Sequence, residues 1–486
     1  MNNTKLVDVL KTFTKAEFKE FEKLVASPFF NRGRNYLPFL KELKKFYPKF
    51  DDDKLTYEYM HSKIYLGKKF NKQIIWNMNS ALYNMAEEFL IQVTLKKNSF
   101  TRNNHIEDEL YYRKLSNLCS QKLDTMEQNL KSIGLGSNYF LHKIQLEICK
   151  MNLLFLEDRQ HLVPGHVLKE GESAVIYFLI IMANVINNIY YNILLFNTKF
   201  DINIPFEFIK SLNLDIVIDY AKTNKFKYAN ILELYYCIIM TALKPNEFKY
   251  FQKAKELYEK SSHYLESGER GILLGVLCNY SIYRANKGED YFKKMLFEVN
   301  LLMLKESERL QKKEIGKIFY IQAIRNALQI NEIDWSKKFI EKYTPYLKNS
   351  YQKPMRALAE SFIAFKQDDY NKVIENLTKV RFIDTRDKFY VKSLSIMAYY
   401  ELNEILVLLY NIDSAKQFVI KNPSLGRLTS INFNKFLNAL KKLIDIKEKS
   451  NLKELKNLYV EIEQEKSMVN YDWLLEKIDE IKTNKR

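Results

Sequence analysis

The sequence predicts an all-α protein in which an N-terminal helical bundle is followed by a long array of paired helices. Glycine and proline are scarce, with 12 and 9 copies in 486 residues, whereas tight turns and strand-rich folds need glycine more often. Apolar residues recur at helical spacing and do not alternate as they do in strands. With 47% hydrophobic residues, the chain can fill a core without disulfides, and its length predicts several domains or an extended array.

The first hundred residues have well-marked helix boundaries. Thr14 and Glu17 are spaced as a capping box, which predicts a helix over Lys15–Ala26. Gly67 is placed to be a left-handed cap at the end of another helix. We expect these elements to form a helical bundle over residues 1–100. Its remaining helices are predicted over residues 35–46, 56–66 and 71–97.

The sequence over residues 101–314 predicts an irregular array of helical hairpins. Two long helices are expected over residues 105–160, separated near Gly134-Leu135-Gly136, and a polar loop is expected over residues 161–166. Two helix pairs follow, in which residues 228–243 pair with 247–265 and residues 271–285 pair with 291–304. Short polar connections between such segments are typical of antiparallel helical neighbours.

The stretch over residues 174–196 has no charged residue and is long enough to span a bilayer. Four asparagines interrupt it, at Asn184, Asn187, Asn188 and Asn192, and each is costly in lipid unless it has a partner. A helix covered by neighbours on several sides is also apolar all round. We therefore interpret this stretch as a buried core helix, with membrane association as the alternative.

A repeat becomes visible after residue 315. Trp335, Tyr370 and Ile405 each follow an acidic or amide-rich turn, and successive members lie 35 residues apart. Such a period, with one pair of helices per unit, is typical of stacked helical hairpins. Asp368 and Asp369 are predicted to be turn and N-cap residues. Three more sets of apolar residues keep the same spacing: Ile324, Ala359 and Leu394; Leu328, Ile363 and Ala398; and Phe339, Ile374 and Leu409.

The segment QDDYNKVIENL over residues 367–377 resembles the turn and second helix of a tetratricopeptide repeat. The segments VLKTFTKAEFKEFEKLVASPFFN, NYSIYRANKGE and YDWLLEKI look like an uncharacterised bacterial family of helical-repeat proteins. The resemblance implies a tetratricopeptide-like helical-hairpin solenoid over residues 315–421, with capping helices over 422–486, and it implies no activity or ligand. Glu360 departs from the pattern because a large apolar residue is expected there.

The net charge of +17 comes largely from lysine, which we interpret mainly as a solvated surface because base recognition tends to use arginine. The alternative is a helix-turn-helix over residues 56–97, in which Lys68, Lys69 and Lys72 lie near the start of the second helix. These lysines are the candidate nucleic-acid-binding residues. We expect no cluster of Arg, Gln or Asn to form a base-reading face there.

No catalytic or cofactor motif occurs in the sequence, so we predict no enzyme, no cofactor and no metal site. Cys119, Cys149, Cys237 and Cys278 are widely spaced and are predicted to be reduced core thiols of a cytoplasmic protein. His161 and His166, with Asp158 and Glu170 nearby, match no established ligand spacing.

Two functions from different classes are carried forward. The first is a non-catalytic scaffold that binds a protein or peptide. The alternative is a DNA-binding regulator in which the basic N-terminal bundle contacts DNA and the repeat array senses a peptide.

Overall fold

The computed structural model describes residues 1–31, 35–196, 198–311, 314–381, 384–449 and 451–483, and the side chains of residues 194–196, 286, 428 and 452 lie outside the description. Helices make up 79% of the protein, and no strand occurs in these ranges. The all-α prediction is therefore confirmed. The chain divides into two compact units, with Met1–Ser132 and His142–Glu170 in unit 1, and Ile133–Leu141 and Gly171–Arg486 in unit 2.

Unit 1 is built from the N-terminal helices and from parts of two longer ones. Its elements are α1 (Lys5–Thr12), α2 (Lys15–Ala26), α3 (Leu37–Lys44), α4 (Tyr57–Ile64), α5 (Lys72–Lys97), α6 (Ser99–Tyr112), α7 (Ser116–Lys131), most of α8 (Ser137–Leu156) and the start of α9 (Val163–Phe196).

The predicted helix starts in unit 1 are confirmed by their caps. The Thr14 hydroxyl accepts a hydrogen bond from the Glu17 N–H at 3.1 Å, and the Glu17 carboxylate accepts one from the Thr14 N–H at 2.9 Å. The Asn71 side chain accepts from the N–H of Gln73 at 2.9 Å and so begins α5. These side chains satisfy N–H groups that have no partner inside the helix.

Two expectations in unit 1 were wrong. The polar loop expected over residues 161–166 is a short 3₁₀ turn followed by the start of α9, because Pro164 lies in the first turn, where its missing N–H costs nothing. The helix expected before Gly134 is two helices, α6 and α7. The chain breaks at Lys114, which takes a left-handed conformation with φ of 58° although nothing in its side chain favours one.

Unit 2 contains the remaining helices. They are α10 (Ile204–Ser211), α11 (Leu214–Thr223), α12 (Ala229–Leu243), α13 (Phe248–Ser261), α14 (Ser267–Asn286), α15 (Tyr291–Arg309), α16 (Lys317–Gln329), α17 (Ile333–Tyr343), α18 (Asn349–Lys366), α19 (Tyr370–Thr378), α20 (Thr385–Glu401), α21 (Ile405–Lys421), α22 (Arg427–Lys449), α23 (Leu452–Glu463) and α24 (Tyr471–Thr483).

Successive helices of unit 2 pack in pairs. The two predicted pairs are confirmed as α12 with α13 and α14 with α15, and three more follow in α16 with α17, α18 with α19 and α20 with α21. Of the predicted domain boundaries, residues 314 and 421 fall at connections between helices, whereas residue 100 lies inside α6. The division into four domains stays a prediction.

The last three pairs turn in the same way. Asn331, Asp368 and Asn403 have φ near +60°, and in each turn the N–H of the next residue donates to the carbonyl five residues earlier, at 2.9 to 3.0 Å. This is the Schellman end of a helix, which usually needs glycine at the left-handed position. Asp and Asn take its place here because their short side chains tolerate this conformation, so the hairpins form with little glycine.

The structural period of these turns differs slightly from the predicted one. The left-handed residues lie 35 residues apart between the last two pairs and 37 apart between the first two, because α17 has 11 residues where α19 has 9. Tyr370 and Ile405 begin their helices, whereas Trp335 is the third residue of α17. As predicted, Asp369 is an N-cap, and its side chain accepts from the Lys372 N–H at 3.1 Å.

The apolar stretch over residues 174–196 forms most of α9, the one described helix long and apolar enough to cross a membrane, and 44% of its most apolar 18 residues are buried. Asn187 is buried and donates to the carbonyls of Ala183 and Ile238, each at 2.9 Å. A more completely buried helix is α12, in which 12 of 15 residues are buried. The side chains at the end of the stretch, at residues 194–196, lie outside the described residues.

The predicted break at Gly134-Leu135-Gly136 is a close contact between two backbones of unit 2. Leu135 donates its N–H to the Tyr264 carbonyl at 2.7 Å and accepts from the Glu266 N–H at 2.9 Å. The buried Glu269 carboxylate then accepts from the N–H and the hydroxyl of Ser137, at 2.9 and 2.7 Å. The start of α8 is therefore anchored on the segment that leads into α14.

Candidate functional site

The three candidate nucleic-acid-binding lysines lie on the connection between α4 and α5 and on the first turn of α5. Lys68, Lys69 and Lys72 are exposed, and none has a carboxylate within 4 Å among the described residues. The Lys68 ammonium lies 5.6 Å from the centre of the Tyr65 ring, and that of Lys72 lies 5.2 Å from the Tyr57 ring. Their charges are therefore open to an anionic partner.

The outer face of α5 continues this surface with uncharged polar groups. Gln73, Trp76 and Asn77 are exposed, and the Gln73 amide donates to the Asn77 carbonyl oxygen at 2.8 Å. An i, i+4 pair on the exposed face brings these two amides together, and the expectation that no cluster of Arg, Gln or Asn forms a base-reading face stays a prediction. Amides of this kind can bond adenine edges in a major groove. We call Lys68, Lys69, Lys72, Gln73 and Asn77 the α5 surface.

The connection between α4 and α5 departs from a typical helix-turn-helix. Seven residues separate Ile64 from Lys72, whereas such motifs use a turn of about three or four residues. Gly67 takes the predicted left-handed conformation, with φ of 73°. The α5 surface thus carries side chains of types that contact nucleic acids, but the connection before α5 is longer than the turn of a typical helix-turn-helix.

A second candidate surface spans the first helices of three successive pairs. Arg325 of α16 lies with its guanidinium carbon 5.6 Å from the centre of the Phe362 ring on α18 and 4.7 Å from that of Tyr390 on α20. The two rings are 6.0 Å apart in an edge-to-face arrangement. All three side chains are partly exposed. We call Arg325, Phe362 and Tyr390 the first-helix face.

The cation of the first-helix face differs from its neighbours in having no ion-pair partner in the described part of the chain. Lys317, on the same helix, contacts Asp384 at 2.7 Å and Asp387 at 2.8 Å. Burial opposes its charge, but these two hydrogen bonds outweigh that effect and raise the pKa of Lys317. Lys317 is therefore neutralised by this chain, whereas the Arg325 guanidinium lies against two aromatic rings and has no carboxylate within 4 Å among the described residues.

Two other residues of α18, the helix that carries Phe362, belong to the core. Met355 and Leu358 are fully buried and therefore cannot line an open surface. Glu360, the departure from the repeat pattern, lies at the surface and accepts from Arg356 at 2.8 Å. It thus forms an i, i+4 ion pair in place of an apolar contact.

The structure places one histidine of the segment over residues 161–166 against a carboxylate of α8. The Nδ1 atom of His166 lies 2.6 Å from the Glu147 carboxylate, while His161 lies in the 3₁₀ turn and Asp158 in a left-handed turn. This contact is a side-chain pair between α8 and α9 in unit 1.

A cluster that the sequence analysis missed lies inside unit 1. Single donor atoms of Glu107, Asp108 and Cys149 lie within 4.8 Å of one another, and the Cys119 thiol also interacts with Glu107. Burial is the main cause that raises the pKa of Glu107, and it raises the pKa of Cys119 to about 11. No sequence signal marks the cluster, since its residues come from three helices.

The comparisons with known proteins identify no relative. No family model, curated protein or solved structure matches the chain, so the resemblance to bacterial helical-repeat proteins stays a prediction.

Proposed function

We propose that this protein is a non-catalytic interaction scaffold of the cytoplasm, whose tetratricopeptide-like solenoid binds an acidic peptide segment across the first-helix face. The observation that carries the proposal is Arg325, a cation that has no carboxylate partner in the described part of the chain and lies against Phe362 and Tyr390, so that the face spans three successive helix pairs. Its fixed guanidinium suits a carboxylate, and the rings suit an adjacent apolar side chain.

Further observations support this proposal. The three pairs end in turns of the same geometry, as repeated units that stack on one another would. Seven of the nine apolar residues found at the 35-residue spacing are buried, and Ile374 and Leu409 pack against the same core. The cytoplasmic location is supported by four free cysteines, which persist in a reducing compartment.

Selection from a peptide library tests the scaffold proposal. The full chain is used as bait, and enriched peptides are measured by fluorescence anisotropy. We expect enrichment of a carboxylate next to an apolar residue. Arg325→Gln should weaken binding at least about tenfold, because a hydrogen bond to a charged group contributes about 1.5–3 kcal/mol. Arg427→Gln is the matched control, since Arg427 is exposed on α22. Binding that is indifferent to Arg325 would refute the proposal.

A second candidate function is DNA binding by the α5 surface. Three unpaired lysines beside two exposed amides favour it, because lysines position a protein on phosphates while amides read base edges. Binding of duplex DNA would be measured across salt concentrations. A variant with Lys68, Lys69 and Lys72 changed to Gln should lower the salt slope by about 2.7, at about 0.9 per phosphate contact.

The control for this experiment changes three exposed, unpaired lysines of unit 2 to Gln: Lys337, Lys338 and Lys372. If the α5 surface binds DNA, the control keeps the wild-type slope. Equal losses in the two variants would mean that binding reflects general positive charge, and a salt-independent lack of binding would eliminate this function.

A further inference from the structure

We propose that unit 1 contains a structural zinc site whose ligands are Glu107, Asp108, Cys119 and Cys149. This inference is independent of the proposed scaffold function, because it concerns other residues and another unit. Glu107 and Asp108 lie on α6, Cys119 lies on α7 and Cys149 lies on α8. A bound ion would therefore connect three helices of the bundle.

The buried carboxylate is the observation that points to a cation. Glu107 is 0% exposed, and neither of its carboxylate oxygens has a hydrogen-bond partner within normal distance among the described residues. A buried carboxylate without compensation is costly, so it must either hold a proton or face a positive charge. Among the described residues, no Lys, Arg or His forms an ion pair with Glu107.

The side chains around Glu107 include the thiols of Cys119 and Cys149, which interact with its carboxylate and are of a type that binds metal ions. Cys119 and Cys149 are 0% and 3% exposed, and the Cys149 thiol donates to the Asn104 side-chain oxygen at 3.6 Å. Asp108 is half-buried and contributes a second carboxylate. Glu107 and Asp108 are adjacent on α6, yet an oxygen of each lies near the one Cys149 sulfur.

The donor set selects the metal. Two thiols disfavour Ca²⁺ and Mg²⁺, which take oxygen ligands, and four donors from Cys and carboxylate groups suit tetrahedral Zn²⁺. On binding, each thiol loses its proton to solvent and its sulfur donates an electron pair to the ion. Since the protein supplies four donors, the site has a structural role and leaves no open position for catalysis.

Cobalt substitution tests the site directly. The full chain is treated with a chelator, reloaded with one equivalent of Co²⁺ and examined for the near-ultraviolet absorption of a cobalt–thiolate bond, and zinc content is measured in parallel. We expect one metal per chain and an absorption that Zn²⁺ displaces. Cys149→Ser should weaken metal binding by at least about tenfold, since even the loss of an outer partner costs 10–100-fold.

Two further variants separate ligation from folding. Cys237→Ser removes a buried thiol of unit 2 and should leave the cobalt absorption unchanged. Glu107→Gln keeps the size of the side chain but removes its charge, and it should weaken binding while circular dichroism shows a folded helical protein. If the folded wild-type chain binds no stoichiometric metal, or if its cobalt spectrum lacks a thiolate band, the inference is wrong.

Discussion

Replacement of Gly134 by alanine should destabilise unit 2 by about 3 kcal/mol. A Cβ at this position would lie 2.7 Å from the nitrogen of Glu266 and 2.8 Å from the carbonyl carbon of Leu265, closer than such atoms approach. Both belong to backbone held by the two hydrogen bonds of Leu135. Movement of this segment would weaken bonds that contribute about 1 kcal/mol each, and overpacking adds about 1–3 kcal/mol.

The assay is urea unfolding followed by tryptophan fluorescence and by circular dichroism. Trp335 and Trp473 lie in unit 2 and Trp76 lies in unit 1. In a Trp76→Phe background, tryptophan fluorescence therefore reports the unfolding of unit 2. With an m value near 3 kcal/mol/M, the expected loss lowers the midpoint by about 1 M.

The control for Gly134 is a glycine with free space around it. Gly271 lies within α14, and no atom would lie within 4 Å of a Cβ there. Gly271→Ala should therefore raise stability by about 0.5–1 kcal/mol, as is usual in a helix interior. If Gly134→Ala unfolds at the same urea concentration as wild type, the close backbone contact does not constrain this residue and the reasoning fails.

The same urea assay tests three other substitutions. Lys477→Met should cost about 3 kcal/mol, because it removes the buried ammonium that contacts the half-buried Glu401 carboxylate at 2.9 Å; a wild-type midpoint would contradict this. Asp369→Ala should cost about 1 kcal/mol through loss of the cap of α19. Leu358→Ala should cost about 3 kcal/mol by leaving a cavity, while Leu406→Ala, at a side chain that is 85% exposed, should change nothing.

Local chemistry explains which elements the sequence could predict. The capping box at Thr14 and the N-cap at Asn71 act within four residues, so the starts of α2 and α5 follow from sequence alone. Lys114 shows the limit of this reasoning, because its left-handed conformation has no local cause in a lysine side chain. The two-residue offset at Trp335 has a similar origin, since counting along the chain cannot detect a longer α17.

The candidate sites depend on distances that the sequence does not contain. Arg325 meets Phe362 and Tyr390 only because three separate helices pack side by side. Cys119 and Cys149 lie 12 and 42 residues from Glu107, which matches no short ligand motif. Gln73 and Asn77 were within reach of sequence reasoning, because they are four residues apart on a predicted helix. To find this pair, sequence reasoning had only to identify which face of α5 is exposed.

The meaning of the basic charge depends on where lysines lack partners, and not on the total of +17. Lys317 and Lys477 each contact two or more carboxylates, so they add charge to the sum but little to the field at a distance. If the excess of lysine is purely compositional, the exposed lysines of both units should affect DNA binding equally. The lysines of the α5 surface lie beside two exposed amides that are hydrogen-bonded to each other, whereas Lys337, Lys338 and Lys372 lie on α17 and α19 of unit 2. Comparison of these two sets therefore separates a functional surface from a compositional one.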